Sequence, residues 1–470
     1  MRFFRALPVV LLFALLLSSP AEPRPGGGGH YSGGGGRSGS SRSYSGGGGY
    51  SGGGGSGGYD IVPGPVWVIV FFVVAGILLV AGRRRSPARA RAEIDPRLRE
   101  EGLRQLMAQD PAFSLPAFLE RSKATLLQVN QAWVQGDMRT ARRIISDAVF
   151  IRFQTQLALM RAQGVRNVMA DMQVLSASLL AAQADTHFDI LHVKVVAQAR
   201  DIDVSTQLSD EEAQKKAAHS LLASYEEVWS FLRKRGKKSE QGVPALEGMC
   251  PSCGATLAVA DTVQCGQCKA LVNSPEHDWV LSEITQPEEW KGLLAVQEVP
   301  GLAVLQQKDP GVSRQALEDQ ASVLFWKWME AKNTGSTKKL QRFCAGPLDD
   351  PGVRAALQLE PVQLERVAVG SVDVRGVALG GEKGVDRIQL EVRWSGARPG
   401  ENPEGRRHMF EVVRKVGAKS PGGLYSLDCP VCRGPLGESD AVTCPYCQSA
   451  LQGPAAQWSL ERVISTGQTA

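Results

Sequence analysis

The chain has 470 residues, enough for two or three domains, and 53 Lys and Arg against 48 Asp and Glu leave a net charge of +5. That balance is too mild for a dedicated nucleic-acid binder. Nine cysteines would suit a disulfide framework, but eight of them fall into a different pattern, described below.

In chain order, Arg2 and Arg5 precede an apolar run from Leu7 to Leu17, and Ser19-Pro20-Ala21 supplies small residues suited to cleavage. This is the layout of a secretory signal, residues 1–21, with an uncleaved signal anchor as the alternative. Residues 22–60 are mostly Gly and Ser punctuated by Tyr31, Tyr44, Tyr50 and Tyr59, with too little apolar surface to offset ordering, so the segment is expected to be disordered. Residues 63–82 are charge-free and close to the length that spans a bilayer. Arg83, Arg84, Arg85, Arg89 and Arg91 follow on one side only (the 83–94 segment). The positive-inside rule therefore predicts a single-pass inner-membrane protein with its Gly-rich segment outside and its C-terminal part in the cytoplasm. A reducing compartment keeps thiols free, and the basic flank would contact anionic lipid.

From 95 the composition turns globular. A helix is predicted from near Ser114, with Pro116 in its first turn and Phe118, Leu126, Val129 and Trp133 on one stripe. Gly136 breaks it, and Asp137 is placed to cap a second helix presenting Met138, Ala141, Ile144 and Ile145; a third helical run covers about 149–163. The period then drops to two. From Asp189, one face reads Leu191, Val193, Val195, Ala197 and the other His192, Lys194, Gln198, Arg200, a half-buried antiparallel strand. A further strand is expected over Tyr225–Lys234, giving an α+β domain at 95–240. The basic run Arg233–Lys238 reads either as a solvated linker or as a lipid contact.

Next comes a motif written twice. Cys250-x-x-Cys253 and Cys265-x-x-Cys268 are followed by Trp279; Cys429-x-x-Cys432 and Cys444-x-x-Cys447 are followed by Trp458. Every landmark moves by 179 positions. Two CxxC pairs at matched spacing point to a four-thiolate structural zinc site, hence two ribbons, at 247–290 and 426–466, each with one Zn2+. Four protein ligands leave no open position for catalysis, and short segments of this kind draw their folding energy from the metal. His277 is answered by Ala456 and reads as surface. Lys and Arg are sparse between the knuckles, so nucleic acid is the lesser reading for these ribbons.

Between the ribbons the first half repeats. Asp309-Pro310 answers Asp110-Pro111 at an offset of 199, and Phe410–Lys415 answers Trp229–Lys234 at 181, so a second, divergent α+β domain is expected over 305–420. The shrinking offset places about 20 extra residues near 205–224 of the first copy, as a surface helix or loop. Cys344 reads as a buried core thiol. His187 and Asp189, with Asp386 answering the latter, are the one candidate polar pair, and ordinary strand-end hydrogen bonding is the better reading for them.

The first unit resembles the translocase-of-inner-membrane-44-like domain, on Phe118, Gln131-Ala132-Trp133 with Gly136-Asp137, the strand from Asp189 to Val195, and Glu227-Val-Trp229-Ser-Phe231-Leu-Arg233. The second unit has Phe410 where that Trp would be and follows only by duplication. The resemblance implies a cone-like fold similar to nuclear transport factor 2, with helices on a bent antiparallel sheet. It also implies membrane proximity and a protein client or chaperone as partner. With no nucleophile, phosphate loop or open metal constellation in the sequence, a non-enzymatic membrane scaffold in protein translocation is expected. An enzyme or small-molecule sensor using the cone pocket is the alternative; a polar, titratable pocket lining would favour it.

Overall fold

The computed structural model describes residues 96–468, apart from 186, 240–247, 258–263, 288–289, 291–297, 382–383, 421 and 456. The expected signal, Gly-rich segment, span and basic flank lie outside these residues. Among the described residues no helix is long and apolar enough to cross a membrane.

The first half opens with α1 (Pro96–Gln109) and α2 (Leu115–Val134). Ser114 caps α2 by accepting the Ala117 N–H at 3.4 Å, Pro116 fills the first turn, and Phe118, Leu126, Val129 and Trp133 are buried at helical spacing. Gly136 leaves the helix at φ +68°, which a residue with a Cβ rarely adopts. The expected second helix is one 3-10 turn, Met138–Ala141, although Asp137 does cap it, accepting the Arg139 N–H at 3.0 Å. The reason is local competition. Ile144 C=O and Ser146 N–H both pair with Leu281, and the Ser146 hydroxyl then caps a new helix, α3 (Asp147–Ala162), at Val149. Met138, Ala141, Ile144 and Ile145 are buried as expected, on a turn and an extended link.

Twelve of the sixteen residues of α3 are buried, and those exposed, Ala158, Arg161 and Ala162, lie at its C-terminal end. It lies between its own sheet and the second half. The sheet is an antiparallel meander: β1 (Val165–Ala184), β2 (Phe188–Ser205), β3 (Leu222–Lys234) and β4 (Val280–Thr285). The extra residues near 205–224 contribute α4 (Asp210–Ala218), closed by a capping box between Ser209 and Glu212, with Ala213 and Ala217 buried in a small cluster with Val168 and Val204.

The second half repeats the plan. Helices α5 (Leu302–Lys308), α6 (Arg314–Thr334), α7 (Lys338–Gln341) and α8 (Pro351–Ala356) precede the meander β5 (Glu365–Ala378), β6 (Val385–Ala397), β7 (Glu404–Lys415) and β8 (Ser459–Gln468). Register breaks three times along β1/β2 and three times along β5/β6, and such bulges bend a sheet. The molecule is thus mixed α+β with two antiparallel sheets.

The position of the ribbons adds to the expected order of sheet then ribbon. In each half the fourth strand, β4 or β8, follows the four-cysteine segment and pairs with the third, β3 or β7. Each ribbon is therefore a loop between two neighbouring strands of one sheet. Where it leaves and re-enters is fixed by strand pairing at both ends.

The halves are joined around the start of α3. Asp147 accepts from Arg142 (3.0 Å) and Asn273 (2.8 Å) of its own half and from the Leu427 N–H (2.8 Å) of the other. Asp319 on α6 accepts from the Tyr425 N–H at 3.0 Å and from Ser146 at 3.5 Å. Further along α3, Gln156 reaches the Val367 carbonyl. Burial raises the Asp319 carboxyl well above its usual range, with Asp147 as a like-charged neighbour.

Candidate metal centres and the clusters that anchor them

The eight motif cysteines come together as two groups of four, each with all sulfurs within 4.8 Å of one another. Across the first group Cys250 and Cys268 lie 3.7 Å apart and Cys253 and Cys265 3.8 Å. Across the second, Cys429 and Cys447 lie 3.9 Å apart and Cys432 and Cys444 3.7 Å. Four sulfurs at about 2.3 Å from a central ion form a tetrahedron with edges of about 3.8 Å. Each group therefore has the dimensions to hold one metal ion.

The backbone makes this geometry locally. After each CxxC pair the next residue takes a left-handed conformation: Gly254 at φ +73°, Lys269 at +61°, Arg433 at +62°, Gln448 at +61°. Its N–H bonds back to the carbonyl of the first cysteine, at 2.8, 2.9, 3.0 and 3.0 Å. That turn brings the two sulfurs of a knuckle to one side. Backbone N–H groups of Ser252, Val431 and Tyr446 point at the first sulfur of their knuckles, each at 3.4 Å, a contact that stabilises thiolate charge. In all four knuckles the first cysteine is buried and the second exposed, so one edge of each site faces water.

Each ribbon is tied down by the same four-residue cluster. In the first half Arg233 at the end of β3 meets Asp110 at 2.8 Å, with Ser239 donating to Asp110 through its N–H (2.9 Å) and its hydroxyl (2.6 Å). The guanidinium lies 4.4 Å from the Trp279 ring centre. In the second half Arg414 meets Asp309 at 2.8 Å, Ser420 N–H donates to Asp309 at 2.8 Å, and the guanidinium lies 4.3 Å from the Trp458 ring centre. Arg233 is 1% exposed and Arg414 2%. Burial opposes the charge on Asp110, but the Ser239 and Arg233 hydrogen bonds outweigh it and hold the carboxyl below its usual range.

Arg233 is thereby removed from the basic surface run that the sequence suggested. It is a buried structural cation, and the lipid reading of that run loses its first residue. Trp279 packs on Phe118 with centroids 5.2 Å apart, and so fastens the strand leaving the ribbon to α2. Arg121 on α2 adds a two-pronged contact to Asp278 at 2.8 Å. The sequence held the signal for this cluster as three repeated landmarks at offsets of 199, 181 and 179; what it did not say is that they meet.

The candidate polar pair is engaged separately. His187 lies just before β2 and bonds to the Pro310 carbonyl of the other half. Asp189 is buried 3.8 Å from Arg233, and Asp386 accepts the Gly380 N–H at 2.9 Å. Cys344 is fully buried, its thiol directed at the Leu340 carbonyl (3.4 Å) and pushed up to about 12 by burial. His277 is partly buried.

A feature that sequence reasoning missed is a cavity of about 510 Å³ between the halves. Its walls come from α3 and the far face of β2, β3 and β4 on one side, and from α5, α6 and β5 on the other. His192, read as a solvent-facing residue, is 8% exposed there and is pushed down to about 4 by burial. The lining is more apolar than polar but includes titratable side chains, among them Arg152, Glu283, Arg314 and Glu318.

Comparison with known proteins bears on the first half. No curated protein matches the chain. Among solved structures it is similar to an "Ntf2 like protein involved in plasmid conjugation", at 9% identity over 61% of this chain and 90% of that one; the TM-score of 0.13 carries no argument about fold. The family model for the Tim44-like domain matches residues 99–242. The match spans α1 to β3 and stops where the ribbon begins, one strand short of the complete sheet. Residues 99–242 of this chain are a Tim44-like domain.

Proposed function

We propose that this protein is a membrane-anchored scaffold in protein translocation. Its Tim44-like domain and a divergent copy of it, both read as cone-like, are presented to a protein client or chaperone on the cytoplasmic side. The observation that carries this reading is the domain match over residues 99–242. It is supported by the charge-free stretch at 63–82 with its one-sided arginine cluster, which would place the folded part against the inner membrane.

The eight cysteines serve the scaffold as two structural zinc sites. Tetrahedral four-sulfur sets suit zinc or iron, and zinc adds no redox chemistry to a position that needs only rigidity. Cys250, Cys253, Cys265 and Cys268 would hold one ion, and Cys429, Cys432, Cys444 and Cys447 the other. Bound there, zinc would supply cross-linking energy to two short segments with little core of their own.

In-membrane crosslinking of the full-length protein, followed by identification of what is captured, tests the scaffold reading. Translocase components or a heat-shock chaperone are expected. Capture of lipid and further copies of the chain alone would contradict it. A second reading, small-molecule sensing, is favoured by one observation: the titratable lining of the inter-half cavity.

A further inference from the structure

The cavity between the halves has unmet hydrogen-bonding needs of both signs. On its α3 wall, Arg152 is 6% exposed; its Nη1 donates to the Ile284 carbonyl at 3.1 Å, while Nε and Nη2 are buried with no acceptor. A buried guanidinium with two idle nitrogens is expensive, and a planar oxygen pair is what its fork geometry fits. On the α6 wall, Gln315 Oε1 is buried with no donor.

The charges already present restrict what can enter. Asp185, Glu283, Glu298, Glu318, Asp319 and Asp373 line the cavity against Arg152 and Arg314. Arg314 is taken up by Glu318 at 2.7 Å and faces Asp373 at 3.9 Å. Both Asp319 oxygens are engaged at the joint between halves. An anion alone would meet Arg152 but leave Gln315 Oε1 without a donor. A cation alone would meet Gln315 but leave the Arg152 donors idle.

Another part of the wall carries an aromatic pair. His192 is fixed by Ser230 on one ring nitrogen (2.9 Å) and Gln183 on the other (3.0 Å), and its ring lies 5.3 Å from that of Trp290. Such a wall suits an aliphatic or aromatic side chain.

We propose that this cavity binds a small zwitterion of the free amino-acid class, its carboxylate on the open edge of Arg152 and its ammonium against Gln315 and the Glu283/Glu318 side. The site needs both halves, so it exists only once the duplicated units are assembled. Occupancy would bind the two halves together through one ligand. The inference stands apart from the scaffold reading, which concerns a protein client.

The test uses the full-length protein and thermal unfolding with each free L-amino acid in turn. For any that raises Tm, the matching decarboxylated amine and des-amino acid are then tried. At least one amino acid is expected to raise Tm, with both truncated analogues failing. Arg152→Gln and Gln315→Leu should each weaken binding of that amino acid, the first by tenfold or more, with metal content unchanged. Should Arg152→Gln fail to fold, the matched analogues on the unaltered protein and Gln315→Leu carry the decision. No stabilisation by any amino acid, or an amine or acid binding as well as its parent, would overturn the proposal. So would a folded Arg152→Gln with undiminished affinity. Crosslinking results would leave these outcomes untouched, so the two readings fail separately.

Discussion

The first and second halves share their fastenings and differ in their surfaces toward each other. Both have a bulged four-stranded meander, a four-cysteine loop between the third and fourth strands, and a buried Asp–Arg pair under a Trp. Only the first half has the long buried helix α3; at the matching place the second has the short α7 and α8. Only the first has α4. What the copies share is what closes each unit on itself. What they do not share builds the joint and the cavity, and a single α3 serves both halves as core. Duplication thus supplied two frames, and divergence supplied the space between them.

The largest effects should come from the shared metal frame. Removing metal with a strong chelator should unfold both ribbons and free β4 and β8 from their sheets, since sites of this type contribute on the order of 10 kcal/mol to isolated ribbon segments. Hydrogen exchange would read it as loss of protection in β4 and β8 together; loss in one half alone would break the parallel between them.

Next come the buried ion pairs. Asp110→Ala and Asp309→Ala each remove the nearest carboxylate from a buried arginine and should cost about 3–5 kcal/mol by denaturant unfolding, less in the first half to the extent that Asp189, 3.8 Å from Arg233, takes over. Similar losses would support equivalent roles. A cost confined to one half would show that the second copy of the cluster is ornamental.

A smaller effect separates the halves by pH. Burial pushes Glu318 to about 7 from an ordinary 4.5, against the opposing pull of Arg314, with Glu283 and Asp373 adding repulsion. The folded state then binds the proton more tightly than the unfolded chain. Stability from this group is full below about 4.5 and is lost as pH rises to about 7. Glu318→Gln should flatten that segment of the stability–pH curve; an unchanged slope would remove Glu318 as its source. The smallest effect belongs to the first half alone. Ser209→Ala deletes the α4 capping box and should cost about 1 kcal/mol, with the second half's exchange rates unaltered.

Much of this frame was legible in the sequence because its signals are local. CxxC spacing, Ser114 and Asp137 as caps, and the alternation of β2 all follow from neighbours along the chain, and Leu191, Val193, Val195 and Ala197 are buried as their alternation implied. The failures arise where a distant segment decides. β1 was not foreseen, since its Met-, Leu- and Ala-rich sequence favours helix on propensity and only pairing with β2 makes it a strand. His192 alternates onto the face away from the core, yet Ser230, Gln183 and Trp290 enclose it. Arg233 read as part of a basic run, because its partner Asp110 lies 123 positions away. The cavity was invisible for the same reason: its walls come from both copies.

Each half is expected to hold one metal ion in the loop within its sheet. Elemental analysis of the purified full-length protein and of Cys250→Ser and Cys429→Ser tests it most directly. Two zinc ions per chain are expected, one for each cluster, and one in either variant. Metal-free protein that remains folded, or a single substitution that leaves the metal content unchanged, would contradict it.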